Sequence, residues 1–202
     1  MTAPPPRATE IRPPRFASLR RYWALAAVAA VAALLQALAP DGLRYEREAI
    51  LDGQLWRLVT GNLLHLGWTH LALNLAGLLI IGLSFPGAGA DRPWRLLADL
   101  LLLSLAVGLG LLRGSPDVAW YVGLSGALHG LLVLAAAGEW HRSPRFALTV
   151  LIALALKLAW EQWTDAGATA ALIGGKVVVD AHLYGALGGA LLAPLRYWRE
   201  GR

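Results

Sequence analysis

Apolar residues run through this chain in long blocks separated by short polar breaks. A transmembrane helix needs about 20 mostly apolar residues to cross a hydrocarbon core of about 30 Å. Six blocks approach or meet that length: Tyr22–Ala39, His70–Phe85, Leu96–Leu112, Val118–Ala137, Phe146–Trp163 and Val177–Leu195. The second is prefaced by a further apolar run, Leu58–Trp68. The first follows a basic, Pro-rich tail and ends Ala37-Leu38-Ala39, like a signal-peptide cleavage site. Its apolar stretch exceeds the roughly 7–15 residues of a signal peptide's core, so we read it as an uncleaved span. The pattern predicts an all-α polytopic membrane protein, a six-helix bundle over residues 22–196. Cytoplasmic tails over residues 1–21 and 197–202 are expected to flank it. No soluble domain, coiled coil or internal repeat is visible.

Composition supports the same class. Apolar residues make up 57% of the chain and charged ones only 15%, and the mean hydropathy is +0.52. A soluble domain carries about 25% charged residues. With no cysteine, disulfides and thiolate chemistry are excluded. The net charge of +5 is distributed by loop. Twelve Arg lie in the N-terminal tail, the second and fourth loops and the C-terminus, against five Lys or Arg on the other side. The positive-inside rule then puts both termini in the cytoplasm. The basic excess reports topology rather than nucleic-acid binding.

Polar groups inside a membrane are costly and ask for a reason. His70 and Asn74, four apart, share one helical face. The fourth block contains Gly123-Leu-Ser125-Gly126-Ala-Leu-His129-Gly130, and the sixth Asp180-Ala-His182-Leu-Tyr-Gly185-Ala-Leu-Gly188-Gly189. On continuous helices Ser125 and His182 would sit roughly 8–11 Å below the outer surface, at 1.5 Å per residue. The direction of the second span puts His70 and Asn74 in the same outer half. Gly126 and Gly130, like Gly185 and Gly189, form small-xxx-small pairs that let helices approach closely. A serine could then meet a histidine at the 2.6–3.2 Å that a nucleophile and its base require. Taken singly, each feature has a plainer reading: glycine pairs pack helices, and His65 can sit at a wet interface. Lys157 and Glu161, four apart near the outer end of the fifth span, read as a snorkelling pair.

In combination these motifs resemble the rhomboid proteases. Gly123-x-Ser125-Gly126-x-x-x-Gly130 matches that family's GxSGxxxG pattern, and Ala181-His182-x-x-Gly185-x-x-x-Gly189 its AHxxGxxxG pattern. His65-x4-His70-x3-Asn74 resembles its second-span motif, and Trp56-Arg57 the pair of its first loop. The resemblance implies an intramembrane serine protease with a Ser-His dyad. Ser125 is then the nucleophile, His182 the base, and His70 and Asn74 the oxyanion-side residues, with Gly123 and His129 auxiliary. Asp180 lies about 200° round a helix from His182, at 3.6 residues per turn, so it cannot serve as a triad aspartate. His129 stands where many rhomboids carry a tyrosine, and the Gly-Leu-Ser-Gly-Ala-Leu-His-Gly form is similar to the rhombosortase branch. That branch is associated with C-terminal sorting tails bearing Gly-Gly ahead of a transmembrane segment.

The resemblance implies a bacterial inner-membrane protein whose partners are a transmembrane protein substrate and the bilayer. No cofactor, metal or nucleic acid is expected. Two rival readings are a general rhomboid protease with other single-span clients and a non-catalytic rhomboid-like scaffold. A proton-relay transporter would call for mid-membrane carboxylates and paired repeats, and neither is visible.

Overall fold

The computed structural model describes residues 22–38, 41–85, 88, 92–164 and 167–197. The expected tails, 1–21 and, apart from Tyr197, 197–202, lie outside the described residues, with seven of the twelve arginines in the topology argument. Among the described residues the structure is all-α apart from one short β pair. Nine helices are described: α1 (Trp23–Leu38), α2 (Arg47–Leu51), α3 (Arg57–Thr60), α4 (Trp68–Ser84), α5 (Pro93–Gly114), α6 (Ser125–Gly138), α7 (Pro144–Thr164), α8 (Gly167–Ile173) and α9 (Val179–Tyr197). Two-residue strands β1 (Tyr45–Glu46) and β2 (Trp120–Tyr121) pair antiparallel.

Local chemistry sets the helix boundaries. Prolines open α5 and α7, where a missing N–H costs nothing and φ is preset. Phe85, ahead of Pro86, ends α4 in an extended conformation, because the proline ring disfavours helical geometry in the residue before it. Among the described residues α5 and α7 are each long and apolar enough to cross a bilayer. A third candidate is the pair Arg57–Leu63 and Trp68–Ser84, bent by 95° at its break. α1 and α6 are apolar but shorter, at 16 and 14 residues. Large side chains such as Leu101, Ile152, Leu156, Trp160 and Leu191 are exposed on the outside of the bundle, an apolar surface that suits lipid rather than water.

The fourth apolar block departs from its expected form. It does not make one helix from Val118: α6 begins at Ser125, and Val118–Leu124 is loop and strand. Two valines and two aromatic residues in that run favour extended backbone, and Gly123 at φ +134° lies far from helical geometry. Ser125 is therefore the first residue of a helix, level with the first turn of α9, and its depth is not a count of helical rises.

α6 is the centre of the molecule. Its residues are buried on nearly every side, from Gly126 to Ala136, and it packs most extensively on α9, then on α5, α4 and α7. A helix apolar all round belongs in such a position. Trp23 of α1 meets Trp94 at the start of α5, with ring centroids 4.9 Å apart. At the same end Arg196 of α9 donates to Asp99 of α5 at 2.5 Å. The first and last described helices thus have their terminal ends together.

At the opposite end, residues 41–67 form a structured cap. Buried Arg57 holds it by donating to the Gln54 side chain at 2.8 Å and the Arg44 carbonyl at 2.9 Å. The Trp56 indole donates to the Gly42 carbonyl at 3.3 Å. Pairing of β1 with β2 ties this cap to the segment that leads into Ser125.

Candidate active site

Where α6 and α9 cross, their backbones come almost into contact. A Cβ on Gly126 would lie 2.8 Å from the Ala181 carbonyl oxygen. A Cβ on Gly130 would overlap the Gly185 carbonyl, one on Gly185 the Gly126 carbonyl, and one on Gly189 the Gly130 carbonyl. The space each glycine leaves is filled by the partner helix's main chain. This crossing brings Ser125 of α6 to His182, the fourth residue of α9: Oγ lies 3.0 Å from Nε2.

The other edge of the His182 ring faces α7, where Nδ1 is 2.9 Å from Glu161 Oε2. One neutral tautomer satisfies both contacts, with the hydrogen on Nδ1 donated to the carboxylate and Nε2 accepting from the serine hydroxyl. In that state the ring is ready to take the Oγ proton. Glu161 Oε1 accepts from Lys157 Nζ at 2.7 Å, and the same ammonium lies 2.8 Å from His129 Nε2. His129 Nδ1 donates in turn to the Ser125 carbonyl at 2.7 Å. A carbonyl only accepts, so His129 carries its hydrogen on Nδ1 and receives the ammonium on Nε2. The rings of His129 and His182 stack, with centroids 4.2 Å apart and planes 15° from parallel. Ser125, His182, Glu161, Lys157 and His129 thus close a hydrogen-bonded circuit that returns to the Ser125 carbonyl.

α4 supplies a further wall. The Leu66 N–H donates to His70 Nδ1 at 3.3 Å, which leaves the ring hydrogen on Nε2. That edge faces Gly123. A Cβ there would stand 2.9 Å from His70 Cε1, 3.1 Å from Nε2 and 3.7 Å from Ser125 Oγ. The missing side chain is therefore a gap between an N–H donor and the serine oxygen, and the positive φ favours glycine at the same place. The Tyr121 hydroxyl donates to the Gly123 carbonyl, and the Gly123 N–H to the Gly61 carbonyl at 3.1 Å, which pins the loop. The N-terminus of α6, with its first-turn N–H groups and positive dipole end, lies beside the gap. Asn74, one turn along α4, donates to the His70 carbonyl at 3.1 Å, so that amide hydrogen is aimed at the helix backbone. His65 is buried edge-on against His70, with centroids 5.1 Å apart.

The Lys157–Glu161 pair differs from its expected surface role. Glu161 is buried and turned onto His182, while the Lys157 side chain is 45% exposed. The reason is the face it occupies. Ala147, Leu154, Leu158 and Glu161 form the buried stripe by which α7 rests on α6 and α9. Spacings of seven, four and three put Glu161 on that stripe. Asp180 instead accepts from Ser115, the residue that follows α5, at 2.5 Å, away from His182.

His129, Glu161 and His182 offer ligand atoms within 4.8 Å of one another. They could hold a cation only if Lys157 Nζ withdrew from between His129 and Glu161. A cleft of about 450 Å³ opens at the capped end, bordered by Leu66, Tyr121, Val122 and Gln162; its lining stops short of Ser125 and His182.

No curated protein sequence matches the chain. Residues 52–199 match the family model described as the Rhomboid domain. That match covers well over half of the chain, and with it the chain belongs to the rhomboid family, integral membrane proteins that are generally serine proteases acting on transmembrane substrates.

Proposed function

We propose that this protein is an intramembrane serine endopeptidase with Ser125 as nucleophile and His182 as general base, cutting client transmembrane segments near their outer ends. The observation that carries this reading is the 3.0 Å contact from Ser125 Oγ to His182 Nε2. As Oγ bonds to the substrate carbonyl carbon, Nε2 takes the hydroxyl proton. When the C–N bond breaks, that proton passes to the departing amine. Water then attacks the acyl-serine ester with Nε2 again as base, releasing the acid and restoring the hydroxyl.

The oxyanion needs fixed donors where charge develops, and loss of one in a comparable site costs about 2.7–4 kcal/mol. His70 Nε2–H and the first-turn N–H groups of α6 border the Gly123 gap and suit that role. Asn74 supports the same wall through the His70 carbonyl.

The topology in this reading has six spans: α1, the bent α3–α4 unit, α5, α6 with its leading loop, α7 and α9. Both termini are cytoplasmic, and the residence is a bacterial inner membrane. The arginine distribution supports the orientation, and the common end shared by Trp23, Trp94, Asp99 and Arg196 supports placing both termini on one side.

The client in this reading is a C-terminal sorting tail with Gly-Gly at the head of its span, as for the rhombosortase branch. Its support is the Gly-Leu-Ser-Gly-Ala-Leu-His-Gly form, with His129 stacked on His182. A helix must unwind to present its carbonyl to a serine, and glycine lowers that cost by about 1 kcal/mol per residue relative to alanine. The test gives the purified enzyme two substrates, one with a Gly-Gly tail and one a generic helix with a small residue at the same depth. Preference for the Gly-Gly tail is expected. Equal cleavage would leave a general rhomboid protease, and cleavage of neither a non-catalytic scaffold.

A further inference from the structure

We propose that Glu161 is a positioning residue for His182, so that the protein works with a Ser-His-Glu arrangement whose carboxylate comes from α7. The inference rests on the dyad reading above and extends it. A serine needs its base in one tautomer and one orientation, and a carboxylate at Nδ1 supplies both. It also stabilises the imidazolium that forms once Nε2 has taken the Oγ proton, without itself being protonated. Glu161 Oε2 stands 2.9 Å from Nδ1, buried, on the opposite edge of the ring from Ser125.

The rest of the circuit fits this role. A buried carboxylate without a counter-charge would be costly. Lys157 provides that charge at Oε1, which leaves Oε2 to the histidine. The ammonium is held on its other side by His129, whose two nitrogens are both engaged. His129 therefore stacks on His182 as a neutral ring, adding no charge against the developing imidazolium. Asp180, the carboxylate nearest in sequence, is taken up by Ser115. Both nitrogens of each histidine and both Glu161 oxygens are thereby engaged, and the proton that the reaction moves first lies between Ser125 Oγ and His182 Nε2.

This assignment also bears on access. α7 is the least buried long helix, and Glu161 is the one polar residue of its buried stripe. An opening that admits a substrate helix on the α4 side of α7 leaves the Glu161 contact in place, whereas withdrawal of α7 from α9 would disarm the histidine.

The test measures kcat and KM for cleavage of a transmembrane substrate in detergent micelles or vesicles, with thermal unfolding measured in parallel. The variants are Glu161→Gln, Glu161→Asp, Lys157→Met and the Lys157→Met/Glu161→Gln pair, with Ser125→Ala as reference. Glu161→Gln should lower kcat by about 10²–10⁴-fold, with KM within threefold and the unfolding temperature unchanged, by analogy with loss of a triad carboxylate. Glu161→Asp should recover part of the loss. The double variant should stay as low as Glu161→Gln, since the missing group is the partner of His182. A fall of less than tenfold for Glu161→Gln, a loss confined to KM, or recovery in the double variant would overturn the assignment, the last by showing that Glu161 serves only to neutralise Lys157. The reference separates the two claims. Activity surviving in Ser125→Ala would sink the dyad itself, whereas an inactive Ser125→Ala beside a fully active Glu161→Gln would sink only the role of Glu161.

Discussion

Replacing Gly185 with alanine adds one methyl group at the closest point between α6 and α9. That methyl would overlap the Gly126 carbonyl, an atom of backbone that cannot swing aside. Relief requires the helices to separate by on the order of 1 Å, since a carbon and a carbonyl oxygen rest at about 3.3 Å or more. Ser125 and His182 lie on the two sides of this crossing, 3.0 Å apart. The same displacement would carry the pair to about 4 Å, beyond hydrogen-bond range. Overpacking of this kind costs about 1–3 kcal/mol in stability, while a 1 Å misplacement of catalytic groups costs about 10²-fold in rate. The substitution should therefore cut activity far more than it lowers the unfolding temperature. Gly42→Ala is the control, because nothing lies within 4 Å of a Cβ there. The assay is cleavage of a transmembrane substrate beside thermal unfolding for both variants. Cleavage by Gly185→Ala within twofold of the parent would refute the claim that the glycine interlock sets the serine–histidine distance.

Other expectations follow from the same geometry. His70→Ala should lower kcat by about 10²–10³-fold, as for loss of one oxyanion donor, in single-turnover cleavage. Gly123→Ala should lose activity as severely, because its Cβ would stand 2.9 Å from His70 Cε1 on a backbone at φ +134°; near-parental turnover would show that the gap is not used. Arg196→Met removes the guanidinium that donates to buried Asp99 and leaves Arg95 as its neighbouring charge; it should cost about 1.5–3 kcal/mol in unfolding, with Asp99→Leu/Arg196→Met recovering most of it. A cysteine cross-link between α7 and α4 should block cleavage of a transmembrane substrate; unchanged turnover would argue against access at that seam.

Much of this arrangement is legible in the sequence because membranes punish unexplained polarity. Ser125, His182, His70 and Asn74 stand out as polar positions in apolar blocks, and the glycine pairs beside two of them announce close packing. The start of α6 is harder to read. Hydropathy does not distinguish an apolar loop from an apolar helix, so Val118–Leu124 blends into the block that follows. Only β-rich residues and a glycine hint at the break. Glu161 is obscured for a different reason. Its spacing from Lys157 is that of an ordinary surface pair, and which face of α7 turns inward is decided by packing against α6 and α9. The buried stripe Ala147, Leu154, Leu158 carries the answer, but in a helix apolar on most sides such a stripe is visible only once the neighbours are known. The tautomers of His129 and His182 lie further still from the sequence, since they depend on which atoms meet across α6, α7 and α9.

The central claim, that Ser125 is a nucleophile activated by His182, is tested most directly by covalent labelling. A fluorophosphonate probe reacts with an activated serine hydroxyl and not with an ordinary one. Membranes carrying the parent protein, Ser125→Ala or His182→Ala would be treated with the probe, and the modified residue located by peptide mass spectrometry. The account predicts one adduct, on Ser125, in the parent alone. An adduct on another residue, or labelling of His182→Ala at the parental rate, would contradict it.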